Sequence, residues 1–423
     1  AACAARTGAR VALIGRALAP SPRGSSTPSI PDFVWRRLDL HESGLRLRPV
    51  GAYVSLFDDG RSLATLSTRR KTQDELERAG VGDYRLWQDF WRPLDALLEE
   101  GEAMARRAAV NGARAEASPL LGALAAPKGE RTVAQLAASS RALLDDYFAN
   151  ENLKVHLASA GLALLGLGGD EAGSALAIAS MGAPAGWRSR VASRGPSVDL
   201  ALEEAAKAAG VDIIRQAPVD ISIDEKLLKV TLDNDETLRT RRAMAASEGA
   251  AAREGLKVSR ALAPLARREG AVADIRLKFS KAPPPPTADK DAIFFLADSL
   301  ASFSEARDAV LDGRLPERPP LSFEYARDEI IVHAPYCPAT LRTEGETRDW
   351  TEQDRQAFGR QIIARLAPYL NGAAQNIRRI DVEVSVAGAR RSAANECGIA
   401  APPSGHDAIG AAARLALDFV NGG

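Results

Sequence analysis

The sequence predicts an α/β protein of at least two domains, and three observations lead there. The chain has 423 residues, more than one domain of about 150 residues would use. Hydrophobic residues make up 46% and charged residues 26%, enough apolar side chains to build a core and too few charges for disorder. A helix, a glycine and a short apolar run occur in that order at 1–14 and again at 194–214. This is the second half of a βαβ unit.

In chain order, residues 1–6 favour a helix and Gly8 suits the left-handed turn after it. The run from Val11 to Ile14, bounded by Gly15, reads as a buried strand. The first strand of such a unit and its glycine-rich turn are expected before Ala1. Ala19 to Pro31 is a Pro/Ser/Gly loop. A helix from Phe33 to Leu40 ends at Gly44, and a hairpin turns at Asp59-Gly60. Two amphipathic helices between Thr72 and Ala108 divide near Gly80–Gly82, and Glu130 to Ala163 is one helical region. Arg194 to Ser197 starts a helix that Gly210 closes. Short strands follow at Val211–Ile214, Val219–Ile223, Leu227–Leu232 and from Leu238, with Asp233-Asn234-Asp235 as a turn. After the stiff run Pro283 to Pro286 come a helix ending at Gly313, a strand at Ile330–Ala334, and a helix from Thr351 to Leu370 with Asp354 completing its cap. A strand at Ile380–Val386, a small-residue loop at 397–405 and a helix at 408–420 close the chain.

Composition excludes several functions. Lys+Arg and Asp+Glu are 55 each, so the excess basic charge that phosphate neutralisation needs is absent, and no nucleic-acid partner is expected. Cys3, Cys337 and Cys397 form no CxxC pair, and the four histidines are far apart, so no metal site is expected and the compartment reads as reducing, hence cytoplasmic. The longest apolar stretch, Leu157 to Leu167, is too short for the roughly 20 residues of a transmembrane helix; peripheral membrane contact stays open. No G-x-S-x-G elbow accompanies Ser404 and His406-Asp407, so they read as loop caps. Cys397 reads as an inert core thiol, His156 as a satisfied core or edge residue, and Asp145-Asp146 and Glu203-Glu204 as solvated helix faces. His333, Tyr336 and Cys337 line a substrate tunnel or, more simply, end a strand. Trp87 and Trp91 share a helix face and read as core. No catalytic residue can be named.

Several segments, in order, resemble the phytoene-desaturase-like flavoproteins, in the branch named after the pyridine nucleotide-disulphide oxidoreductase domain. They are Thr7 to Ile14, Leu38 to Leu45 with Asp59 to Arg61, Phe148 to Leu153, Arg194 to Ile213 with Val219, Ala306 to Pro320, and Cys397 to Arg414. The resemblance implies a two-domain FAD-binding fold, Rossmann-like and of the glutathione-reductase/amine-oxidase type, with an inserted α+β substrate domain. The FAD-binding part would be 1–45, 190–275 and 380–423; the substrate or lid part would be 46–189 and 276–379. Implied activity is FAD-dependent hydride removal from an apolar or polyene-type substrate.

The same resemblance places the cofactor-binding positions. Val219 falls where the family clamps the adenine ring through backbone hydrogen bonds. Gly398, Gly405 and Gly410 belong to the closing flavin loop and helix. Gly15 and Arg16 stand where an acid normally meets the ribose, and guanidinium can only donate. Arg23-Gly24 answers the family's paired glycines. Pro402-Pro403 removes backbone N–H groups from the closing loop. Two readings follow: a flavoenzyme with a varied site, or a flavin-free degenerate homologue acting as a binding or assembly subunit with a protein partner.

Overall fold

A computed structural model describes residues 5–6, 8, 10–14, 26–28, 30, 35–36, 38–66, 68–81, 84–93, 138–171, 174–175, 177–178, 188–191, 196–216, 218–224, 227–240, 270–287, 291–326, 328–343 and 345–386. In chain order the strands are β1 (Ala12–Ile14), β2 (Ser26–Pro28), β3 (Leu47–Pro49), β4 (Ala52–Leu56) and β5 (Ser62–Leu66). After the first helices come β6 (Arg188–Val191), β7 (Asp212–Ile214), β8 (Pro218–Asp224), β9 (Leu227–Leu232) and β10 (Thr237–Thr240). The last group is β11 (Ala271–Phe279), β12 (Ile293–Leu296), β13 (Leu321–Ala326), β14 (Glu329–Cys337), β15 (Leu341–Thr343), β16 (Glu346–Arg348) and β17 (Ile377–Val386). The helices are α1 (Arg69–Arg78), α2 (84–93), α3 (Ser140–Tyr147), α4 (Glu151–Leu165), α5 (Val198–Ala208), α6 (Leu300–Leu311) and α7 (Glu352–Leu366).

The largest element is a seven-stranded mixed sheet in the order β17-β11-β14-β13-β12-β4-β5. Its one parallel step is β12 against β4. Alternation sets its two faces. On β11, Ala273, Ile275, Leu277 and Phe279 are buried on one face, and Asp274, Arg276 and Lys278 point to the other. The first face packs on α7 through Phe358, Ile362 and Leu366. Gly359 permits that approach, since a Cβ there would meet Ile380 Cγ2 at 3.0 Å and Val382 Cγ2 at 3.1 Å. The second face, from β5 to β14, is roofed by α1–α4 and α6, whose core includes Phe90, Leu144, Leu162 and Phe303. Helix α4 is apolar nearly all round because both its sides are buried. Gly161 lets it touch the backbone at Ala177, where an added Cβ would lie 2.7 Å from the carbonyl carbon.

A separate core, around Leu38, Leu40, Leu45, Ala201, Ala205 and Val211, holds the smaller unit of α5 with β1 and β7. β8, β9 and β10 form an antiparallel meander, and β6 lies between β2 and β3.

Several expectations change. The first strand is short and half-open: Ala12 is exposed and Leu13 is 43% exposed, because only β7 flanks it among the described residues. Residues 138–165 hold two helices, broken at Phe148–Asn150, where Asn150 Oδ1 accepts from Leu153 N at 3.1 Å and starts α4. β11, β12 and β13 were not anticipated. The boundary at 275/276 falls inside β11 and that at 379/380 inside β17; both strands belong whole to the seven-stranded sheet. The closing loop and the helix at 408–420 lie outside the described residues.

Candidate flavin site

The opening and middle segments come together in space. β1 pairs with β7 in parallel, in the register Ala12↔Asp212, Leu13↔Ile213 and Ile14↔Ile214. Parallel strands cannot be joined by a tight turn, so this pairing needs the long excursion between residues 14 and 212. α5 leads into β7. Ser197 Oγ caps it by accepting from Leu200 N at 3.3 Å, and Gly210, with φ of +81°, makes the tight exit. The helix buries Val198, Ala201, Ala205 and Ala206.

From β7 the chain enters the meander, where Val219 sits at a bulge. Pro218 pairs with Leu232 and Asp220 with Thr231, so Val219 is the extra residue, out of register with β9. β8 is the outer strand of the meander, and Val219 is 47% exposed. The bulge leaves Val219 without a residue directly opposite it on β9. Backbone groups at an outer-strand bulge are of the chemical kind, one donor and one acceptor, that the rim of an adenine ring would need. The other sequence-derived positions (Gly15, Arg16, Arg23, Gly24, Gly398, Gly405 and Gly410) lie outside the described residues.

The polar groups under the helical roof are mostly structural. His156 on α4 is buried, with Nδ1 2.9 Å from Ser55 Oγ of β4 and Nε2 2.8 Å from Thr65 Oγ1 of β5. Burial pushes its pKa down to about 4, so it is neutral. At the other end of α4, His333 Nδ1 lies 3.0 Å from Asp274 Oδ1. Tyr336 donates to Leu162 O at 3.0 Å and to Leu167 O at 2.7 Å, holding the end of α4. Cys337 is fully buried, and burial pushes its thiol up, which makes it unreactive. Tyr336 and Cys337 are core residues of opposite sheet faces rather than a tunnel wall. Lys154 bridges Asp145 at 2.5 Å and Glu151 at 2.8 Å, and Glu203 pairs with Arg215 and Lys207; neither acidic run is an acid/base pair. Trp87 and Trp91 are buried, 6.3 Å apart edge to face, within a cluster that includes Phe90 and Phe148.

Ser55, Thr65 and Asp274 were not singled out in the sequence. The strand register reveals them: it sets Ser55, Phe295, Ser322, His333, Asp274 and Glu383 in one row across the sheet, and Thr65 in the row of Tyr53.

No family model matches the sequence, and no curated protein matches it. Solved structures do resemble it along its whole length. A putrescine oxidase variant redesigned in its cofactor binding superposes with a TM-score of 0.54 at 15% identity, over 99% of this chain and 95% of that one. The wild-type putrescine oxidase bound to putrescine gives 0.51, also at 15% identity and with 99% and 95% covered. Cyclohexylamine oxidase from Brevibacterium oxydans IH-35A gives 0.53 at 14% identity, over 100% and 96%.

This chain has the two-domain FAD-binding amine-oxidase fold. At such low identity the likeness carries the architecture alone.

Proposed function

We propose that the protein is an FAD-dependent oxidoreductase that removes hydride from an apolar or polyene-type molecule. The observation that carries the reading is the bulge at Val219 on an outer strand, at the point where the sequence resemblance expects the adenine ring, within an amine-oxidase fold. The division would be a nucleotide-binding part built from 1–45, 190–275 and 380–423 and an inserted substrate part, with the sheet strands β11 and β17 assigned whole to the latter.

When bound, FAD supplies the hydride acceptor; the chain supplies binding, orientation and exclusion of water. Val219 would hold the adenine end by backbone hydrogen bonds. The interior under the roof is apolar, with an aromatic cluster in its core and an uncharged buried histidine. The second reading, a flavin-free assembly subunit, draws on Arg16 at the ribose position and on Pro402-Pro403 in the closing loop.

Titration of the purified chain with FAD, followed by quenching of flavin fluorescence, tests the proposal. Val219→Ala keeps the backbone groups and leaves affinity unchanged. Val219→Pro removes the N–H, a loss of about 1 kcal/mol, and weakens binding by about fivefold. Equal affinity in the two variants would place the adenine elsewhere.

A further inference from the structure

We propose that Asn371 is a site of spontaneous modification, where the side chain closes an imide with Gly372 and opens to aspartate and isoaspartate. Asn-Gly occurs at 111–112, 371–372 and 421–422, and the second pair lies among the described residues. It forms an exposed turn between α7 and β17. Ala373 N donates to Leu370 O at 2.9 Å across the pair, and φ is +48° at Asn371 and +76° at Gly372. Positive φ at both central residues is the type I′ arrangement that Asn-Gly favours. The bond that closes the turn is donated by Ala373 and not by Gly372. Gly372 carries no side chain to crowd its nitrogen, and the space where a Cβ would stand holds nothing within 4 Å.

The chemistry needs only water. The Gly372 nitrogen gives its proton to a solvent base and bonds to Asn371 Cγ. The Cγ–Nδ2 bond breaks, and ammonia leaves with a proton from solvent. Water then opens the five-membered ring, and nothing is oxidised or reduced. Attack at Cγ gives aspartate; attack at the main-chain carbonyl carbon leaves the chain running through Cγ, which is isoaspartate. Two other turns place an acidic residue before a left-handed glycine, Asp59-Gly60 and Asp312-Gly313, and the structure guards both. Asp59 accepts from Arg61 N at 3.0 Å and from Arg61 Nε at 2.7 Å, and these bonds hold its carboxyl below the ordinary range. Asp312 accepts from Arg314 Nη2 at 2.8 Å. An ionised carboxylate resists attack by a nitrogen, whereas the Asn371 carboxamide is neutral and has ammonia to release. Isoaspartate adds a main-chain carbon inside the Leu370–Ala373 turn. Leu370 is fully buried in the core beneath α7, so conversion loosens the anchor from which the chain enters β17.

Incubation of the folded full chain at mildly alkaline pH, followed by tryptic digestion and fragmentation of peptide 366–378, tests the proposal. The peptide also contains Asn376, whose neighbour Ile377 is branched at Cβ and crowds the attacking nitrogen; it is the internal control. Asn371 is expected to gain about one dalton with time, as NH2 gives way to OH, in both aspartyl and isoaspartyl forms, while Asn376 stays unchanged. The variant Asn371→Gly keeps a residue suited to positive φ. Its thermal midpoint is expected to hold during the incubation while that of the wild type falls. An unmodified Asn371 overturns the proposal, as does equal gain at Asn376, a product that is aspartate alone, or an equal fall in the midpoints of both proteins.

Discussion

His156 ties α4 to two strands through two hydroxyls, and its proton balance makes that tie sensitive to acid. Its pKa in the folded chain is about 4, against an ordinary value of 6.5. Below pH 6.5 the unfolded chain therefore binds a proton that the folded chain refuses, and stability falls as pH falls from there towards 4. The slope is about 1.4 kcal/mol per pH unit inside that window. Urea midpoints measured between pH 7 and about 4.5 should show this slope in the wild type and lose it in His156→Gln, which does not titrate. Equal slopes in both would place the acid sensitivity elsewhere. His156 also shows what one sequence can reveal: an Ala/Leu helix face marks it as a core histidine, but its partners Ser55 and Thr65 lie 101 and 91 residues away and become visible only in the folded sheet.

At the scale of elements, local signals were legible and contacts between elements were not. The cap of α7 can be read from Thr351 and Asp354, and it forms: Thr351 Oγ1 accepts from Asp354 N at 3.2 Å, and Asp354 accepts from Thr351 N at 2.9 Å. Arg348 beside Asp354 holds that carboxyl well below the usual range. Thr351→Ala should cost about 1 kcal/mol by chemical denaturation. The break between α3 and α4 escaped notice because Asn150 follows apolar residues at helix spacing, and a cap competes weakly with periodicity in sequence. β12 escaped for another reason: Ile293 to Leu296 is buried on both faces and shows no alternation. Gly161 in α4 is a case where packing outweighs propensity. Alanine favours a helix by up to about 1 kcal/mol, yet Gly161→Ala should destabilise the chain by about 2 kcal/mol, because the new methyl group would strike backbone at Ala177. A variant as stable as the wild type would mean that α4 shifts freely.

At the scale of the molecule, the architecture rests on one long-range pairing. β1 and β7 are about 200 positions apart and adjacent in space. The order of weak resemblances along the chain points to the two-domain FAD-binding fold class. It did not carry the sheet boundaries, because the strands that cross them differ from their neighbours only in which partner they meet. Of the candidate site, Val219 is the position whose surroundings can be judged, and its bulge suits the role. The visible spectrum of the purified full chain is the most direct test of flavin binding. The expected result is a yellow protein with flavin absorbance bands that releases FAD on denaturation; a folded, colourless protein that takes up no FAD on incubation would contradict it.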